Sequence, residues 1–444
     1  MSQSSLRPSE LPNLTIERLG ENTFVSPLKG GTRRFVGDSE KILVYSLNDK
    51  VKDCMEKTGE VPLFERAGPR EKIYFNPTKL NCGIVTCGGL CPGLNDVIRT
   101  ITLCLIWQYG VRKVYGFRYG YAGLSSNAFE EPLLLTPDVV DNIHLRGGSI
   151  LSSSRGPQNP DDMVDQLIKR DVKLLFAIGG DGTLKGASVL TETIEKRGLK
   201  ISVVGIPKTI DNDIIGIEQS FGFSTAVDAA RSAICGAHEE AKGAWNGVGL
   251  VKLMGRDSGF IAAHATLSNS DVNFCFVPEV PLVLEGENGF LRQLEKRLDR
   301  KHHAVIVVAE GVEPVEYDRQ EKKKDASGNV IREDMGLLLK RKIKEYFQKI
   351  GKPLSLKYID PSYIIRSVPA NSHDSSFCLA LGQYAVHAGM SGRTNMVVGY
   401  WNQHFTHVPI ALATMKRKKI DLQGFLWQTV LGTTGQERYK FLRS

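Results

Sequence analysis

The sequence predicts a soluble α/β protein with two mainly parallel sheets, each flanked by helices. Three observations lead there. From about residue 80 onward, short apolar runs rich in β-formers alternate with longer segments of helical period. These runs are apolar on both faces, as strands buried between two helix layers must be. A chain of 444 residues also accommodates two such sheets better than one.

The elements follow in order. Residues 1–78 are Pro-rich and polar with short apolar islands such as Lys41-Ile42-Leu43-Val44-Tyr45, and read as an extension packed on a core built elsewhere. Strands are expected at 80–85, 113–117, 173–178, 201–206, 248–253, 272–277, 304–308 and 395–400. Helices are expected at 95–108, 160–169, 184–196, 225–241, 257–267 and 375–388. The charged stretch 316–334 breaks the pattern and reads as a solvated loop with a turn at Ser327-Gly328-Asn329.

Composition narrows the class. Hydrophobic residues are 41% and charged residues 24%, the balance of a globular protein, and no apolar run approaches the length of a membrane span. The first residues lack the apolar region of a signal peptide and, with Glu10 and Glu17 among them, do not read as an Arg-rich transit peptide; the closing KFLRS matches no address signal. A cytoplasmic location is expected. The net charge of +8 comes from basic residues interleaved with acids along the chain, which suits small anionic substrates better than nucleic acid. The 8 cysteines include one close pair, Cys87 and Cys91, whose spacing is not that of a zinc or redox site, so reduced thiols are expected.

Chemistry is concentrated where strands end. Thr86-Cys87-Gly88-Gly89-Leu90-Cys91-Pro92-Gly93-Leu94-Asn95 follows one expected strand and opens a helix. Gly179-Gly180-Asp181-Gly182-Thr183-Leu184-Lys185-Gly186 follows a second, and Pro207-Lys208-Thr209-Ile210-Asp211-Asn212-Asp213 a third. None has Walker or G-x-G-x-x-G spacing. Glycine nevertheless allows close backbone approach, and free N–H groups at a helix start attract phosphate. One GGDG could be a tight turn, and any single aspartate a helix cap. Three such clusters are harder to explain as turns. Asp181, Asp211 and Asp213 could supply a hard oxygen ligand for magnesium or a general base for a hydroxyl.

GGDGT at 179–183, PKTIDND at 207–213 and Met254-Gly255-Arg256 together resemble the phosphofructokinases, over about Asn81 to Tyr400. DASGN at 325–329 and the run from Lys357 to Cys378 are most similar to the long-chain ATP-dependent branch of plants and protists. The resemblance implies two similar domains with the active site in the cleft between them. Residues 79–222, completed by about 367–415, would bind ATP and magnesium; residues 223–366, completed by 416–444, would bind fructose 6-phosphate. It implies Asp211 as the base for the sugar's 1-hydroxyl, Asp213 and Thr209 as supports of the transferring phosphoryl group, and Asp181 as the Mg²⁺ ligand. Gly88, Arg155, Gly182, Thr183, Gly186 and Lys208 would line the ATP path. Met254, Gly255, Arg256, Glu310 and Arg366 would hold the sugar phosphate, with Tyr363 and Lys357 beside its phosphate. An allosteric homotetramer or homodimer is implied as well.

The donor turns on two positions. The pyrophosphate-using enzymes carry a second aspartate where this chain has Gly182, and that side chain would crowd and repel the α-phosphate of ATP. Lys208 points the other way, being the residue pyrophosphate enzymes carry. Gly182 acts by exclusion and weighs more, so ATP is expected, with pyrophosphate as the alternative donor and a catalytically silent regulatory subunit as a third reading. Two departures stand out. Gly247 occupies the place of an arginine that in short bacterial enzymes reaches a neighbouring sugar phosphate. Leu103 replaces the second arginine of their effector site, although Arg99 matches the first.

Overall fold

A computed structural model describes residues 10–29, 31, 34–316 and 333–436. The turn expected at Ser327-Gly328-Asn329, the DASGN segment and both extreme termini lie outside these residues. In chain order, β1 (Lys41–Leu43), α1 (Asn48–Thr58) and β2 (Leu63–Arg66) come first. Then follow β3 (Asn81–Thr86), α2 (Leu94–Leu103), β4 (Lys113–Phe117), β5 (Leu133–Leu134), α3 (Pro160–Lys169), β6 (Val172–Gly179), α4 (Asp181–Lys196) and β7 (Ser202–Pro207). Next are α5 (Phe223–Lys242), β8 (Gly247–Leu253), α6 (Phe260–Ser268), β9 (Phe274–Phe276), α7 (Phe290–Lys301), β10 (His303–Ala309), α8 (Met335–Lys349), β11 (Ser355–Ile359) and α9 (Ser362–Ser367). The chain closes with α10 (Ser372–Met390), β12 (Met396–Trp401), β13 (His404–Pro409) and α11 (Phe425–Thr434).

These elements form two compact units. The larger comprises Leu6–Gly222 and Ser367–Lys416, and its sheet has nine strands in the order β1-β2-β13-β12-β7-β6-β3-β4-β5. The five strands from β12 to β4 run parallel; β13, β2, β1 and β5 are antiparallel additions at the edges. Alternate side chains of the central strands feed two cores. Ile84, Phe176, Val204 and Val398 meet α2 and α10 on one face, while Val85, Leu175, Val203 and Val397 meet α3 and α4 on the other. Burying each such side chain is worth roughly 1.5–3 kcal/mol, which is why these strands are apolar throughout. The smaller unit, Phe223–Arg366 with the chain from Arg417 onward, holds a four-stranded, all-parallel sheet in the order β9-β10-β8-β11.

Helix starts show the local chemistry at work. The α3 range matches its expectation because Asn159 accepts hydrogen bonds from the backbone N–H groups of Asp161 and Asp162, with Pro160 in the first turn. In α2 the expected helix 95–108 divides: the α-helix ends at Leu103, and Cys104–Gln108 forms a π-turn closed by Tyr109 N–H to the Cys104 carbonyl at 3.3 Å.

Several expectations need correction. Residues 1–78 do more than pack on a core: β2 pairs onto β13 and β1 onto β2, so both extend the main sheet. The helix expected from 257 begins at Phe260, because Arg256 and Asp257 form a bend and the Gly259 N–H is taken by the Glu279 carboxylate. The basic residues are not evenly spread either. Helices α7 and α8 carry five each, against two and one acidic residues respectively. Among the described residues, no helix is long and apolar enough to cross a membrane.

Candidate active site

In the larger unit, the three glycine and aspartate clusters emerge from the carboxyl ends of β3, β6 and β7, which are neighbours in the sheet. That edge of a parallel sheet is where helix N-termini and loop amides face a ligand. Backbone bonds tie the clusters together. Cys87 N–H donates to the Ile178 carbonyl at 2.9 Å, and Lys208 N–H to the Gly179 carbonyl at 3.0 Å. Gly88 has φ +84°, a conformation that favours glycine, with its N–H on the Ser154 carbonyl and its own carbonyl accepting from Ser153 Oγ at 2.5 Å. Lys208 is buried, and its Nζ donates to the Gly89 carbonyl at 2.6 Å. Arg155 is exposed beside the same loop: its Nη2 lies 3.6 Å from where a Cβ on Gly89 would sit.

Helix α4 begins at Asp181, with Gly180 as its cap residue. Asp181 pairs with Lys185 one turn on, at 3.0 Å. Gly182 is exposed, and a Cβ built on it would meet nothing within 4 Å. Nothing in the fold therefore requires glycine there, although glycine in a helix costs about 1 kcal/mol relative to alanine. Gly179 and Gly186 are different. The Thr183 side chain packs where a Gly179 Cβ would be, and the Tyr121 ring would lie 2.8 Å from a Gly186 Cβ. Tyr121 Oη also donates to the Thr183 carbonyl at 2.8 Å, so packing accounts for both glycines and for the burial of Thr183.

The PKTIDND segment is a bend fixed from within. Asn212 is left-handed at φ 54°; its Oδ1 accepts from Ser220 N–H at 3.0 Å and its Nδ2 donates to the Glu218 carbonyl at 3.0 Å. Thr209 Oγ1 donates to Asp213 Oδ1 at 2.7 Å, and Ser220 Oγ donates to the Thr209 carbonyl. Asp213 is buried, whereas Asp211 is half-buried and the more accessible of the two carboxylates. Sequence reasoning passed over Asn212 and Ser220 as scaffolding. An asparagine between two aspartates at a strand end was the available signal, since asparagine tolerates the left-handed region.

In the smaller unit, Met254-Gly255-Arg256 leaves β8, Glu310 leaves β10, and Tyr363 and Arg366 lie on α9 just beyond β11. These are the carboxyl ends of three adjacent parallel strands. Gly255 has φ +126°, and a Cβ there would come within 2.6 Å of the Ser258 carbonyl. Its own carbonyl accepts the Gly311 N–H at 3.0 Å, joining the turn after β8 to the turn after β10. Arg366 donates from Nε to Met254 Sδ at 3.2 Å, the one hydrogen bond its side chain makes among the described residues, so both Nη groups are left for a ligand. Tyr363 is 81% exposed.

Lys357 is not brought to this edge. It pairs with Gly249 inside the sheet, four residues before Leu253 ends β8, and so roughly 13 Å below the edge at a strand rise of about 3.3 Å. Its Nζ instead lies 3.9 Å from Glu240 on α5.

Comparisons with known proteins place this architecture. The family model described as Phosphofructokinase matches residues 81–389. The chain is 51% identical over 434 residues to the ATP-dependent 6-phosphofructokinase of Borreliella burgdorferi, covering 95% of this chain and 96% of that one. It is 44% identical over 424 residues to the ATP-dependent 6-phosphofructokinase of Trypanosoma brucei brucei, covering 94% and 86%. A pyrophosphate-dependent phosphofructokinase of Marinobacter aquaeolei shares the fold with a TM-score of 0.65 at 18% identity, over 82% of this chain and 92% of that one. The chain belongs to the phosphofructokinase family.

Proposed function

We propose that this protein is an ATP-dependent 6-phosphofructokinase, transferring the γ-phosphoryl group of ATP to the 1-hydroxyl of fructose 6-phosphate. The observation that carries the choice of donor is the open space at Gly182, where no side chain stands at the helix start that would meet the nucleotide phosphates. Lys208 does not oppose this reading. Its Nζ is engaged on the Gly89 carbonyl, where it braces the first glycine loop and is accounted for without a pyrophosphate. The relatives above carry that activity in their names.

The division of labour follows the two strand edges. In the larger unit, the backbone amides that follow Gly88 in its loop and the N-terminus of α4 receive phosphate oxygens, with Arg155 supplying positive charge. Asp211 accepts the proton of the attacking hydroxyl, while Asp213, locked onto Thr209, holds the bend that aims it. In the smaller unit, Arg256 and the free Nη groups of Arg366 take the sugar phosphate, and Glu310 takes sugar hydroxyls. Phosphoryl transfer asks chiefly for positioning and neutralised charge, which these groups supply.

Magnesium fits the donor set. Among the described residues no group of three or more acidic, histidine or cysteine side chains gathers into a metal cage. Asp181 stands at the head of α4, and one carboxylate completed by water and phosphate oxygens is the arrangement Mg²⁺ favours. When bound, the ion neutralises phosphate charge. We place the enzyme in the cytoplasm as a homodimer or homotetramer, a state sedimentation would resolve.

The deciding experiment is fructose 1,6-bisphosphate formation with magnesium and either ATP or pyrophosphate. Turnover with ATP alone is expected. Turnover with pyrophosphate alone would mean that Lys208 outweighs Gly182.

A further inference from the structure

A lysine stands inside the central strand of the smaller sheet. Lys252 belongs to β8, whose seven residues are all buried, in the run GVGLVKL. Burying an ammonium is costly unless it is paired and hydrogen-bonded. Here it meets two carboxylates: Nζ lies 2.5 Å from Asp334 Oδ2 and 2.8 Å from Asp360 Oδ2. Tyr358 Oη donates to the second oxygen of Asp334 at 3.3 Å. Neither carboxylate is there for the lysine alone. Asp334 caps α8 by accepting the Leu337 N–H at 2.9 Å. Asp360 accepts from Ser362 N–H at 3.1 Å and Ser362 Oγ at 2.6 Å, which fixes the start of α9.

The contacts close into a ring. Lys252 holds Asp360; Asp360 holds Ser362; α9 carries the chain from Ser362 to Arg366; Arg366 Nε returns to Met254 Sδ; and Met254 follows Lys252 by two residues, just past the end of β8. Arg366 is thereby fixed with respect to Met254-Gly255-Arg256 from both ends of α9. A six-residue helix gains little from its own backbone bonds, since nucleation is unfavourable and so few follow. Without the tie to β8, α9 would have less to define its place.

We propose that Lys252 is a positioning residue for the sugar phosphate: through Asp360 and α9 it sets the guanidinium of Arg366 against the Met254–Arg256 turn. This rests on the functional reading above. It explains why a charge is kept in a strand that otherwise accepts only apolar side chains and glycine. Lys252 lies within β8 and acts through Arg366 rather than on the ligand.

The test is steady-state kinetics on the full chain. Lys252→Met should raise the KM for fructose 6-phosphate about tenfold, with kcat within about threefold and the KM for ATP unchanged. Should the methionine variant fail to fold, Asp360→Ala replaces it: Lys252 keeps Asp334, while the tie to α9 is lost, and the same selective rise in KM is expected. Combined with Arg366→Ala, either change should add little, because both act through the same guanidinium. An unchanged KM for fructose 6-phosphate, or equal increases for both substrates, would overturn the proposal and leave Lys252 a purely structural ion. The two failures are separable. Wild-type protein that forms product while the variants keep their KM sinks only the role of Lys252, whereas wild-type protein that neither turns over nor binds fructose 6-phosphate in calorimetry sinks the functional reading and this inference with it.

Discussion

At the scale of single residues, the contrast between Asp211 and Asp213 is informative. They sit two positions apart in one bend, yet Asp213 is buried and bonded to Thr209 while Asp211 is more accessible. Asp211→Asn should therefore preserve the fold and lower kcat by roughly 10²–10⁴-fold, the range a general base supplies. Near-normal turnover in that variant would remove Asp211 from the mechanism. Asp213→Asn should act mainly through geometry, with a smaller loss. Gly182→Asp is the sharper test of the donor. Its new side chain would enter open space, so melting should hardly change, while ATP turnover should fall by more than about tenfold, equivalent to about 1.4 kcal/mol. If ATP use survives, the open space is not where the nucleotide lies. That these candidate residues would gather at one edge of the sheet was legible because strand ends, glycines and carboxylates coincide in the sequence. Lys252 was not: a lysine in an apolar run carries no sign of which carboxylates it will meet when they lie 82 and 108 positions away.

At the scale of elements, the N-terminal strands show where sequence reading failed. The central βα succession was legible because each strand is apolar on both faces and each helix follows a strand end. Strands β1 and β2 have no such pattern, since they are short edge additions joined to the sheet only through the pairing of β2 with β13, more than 300 residues away. Phe64 of β2 packs against Trp401 in the core, and charge does the rest. Glu65 of β2 is buried against Arg393, Arg70 and His407: Arg393 Nε donates to it, Arg70 Nη2 lies at 3.2 Å and His407 Nδ1 at 2.9 Å. Asp38 reaches the same arginines at 2.9 and 3.2 Å. Removing one partner from a buried ionic network commonly costs about 3–5 kcal/mol, because the remaining charge stays buried. Glu65→Ala should lower the denaturant midpoint accordingly, with no selective change in either substrate's KM. A loss below about 1 kcal/mol would mean that water reaches Arg393 once the carboxylate is gone.

The same cluster governs how the whole molecule should respond to acid. His407 is fully buried, and burial pushes its pKa down from 6.5 to about 4, against the opposing pull of Glu65. The geometry agrees: Nδ1 faces Glu65, whereas Nε2 has no hydrogen-bond partner among the described residues, so a proton placed there would be buried unpaired. Burial would raise the Glu65 carboxyl, but the contacts with His407 and Arg393 hold it well below the carboxylate range. The signs then agree. A histidine whose folded pKa is depressed contributes stability that is intact above about pH 6.5 and is withdrawn as pH falls toward 4. The depressed Glu65 adds a loss below its unfolded value of 4.5. Glu279, raised by burial, works in the opposite sense just above 4.5, and it lies in the smaller unit. Acid should therefore loosen the larger unit first. One pKa unit is worth about 1.4 kcal/mol, so His407 alone accounts for roughly 3 kcal/mol between pH 7 and pH 4, a large part of a typical margin of about 5–15 kcal/mol. Hydrogen exchange of amides in β12 and β13, followed from pH 7 to pH 5 and corrected for intrinsic rates, should show falling protection in the wild type. His407→Gln, which keeps a donor for Glu65 and removes the titration, should flatten that slope. An equal slope in the variant would place the acid sensitivity elsewhere in the chain.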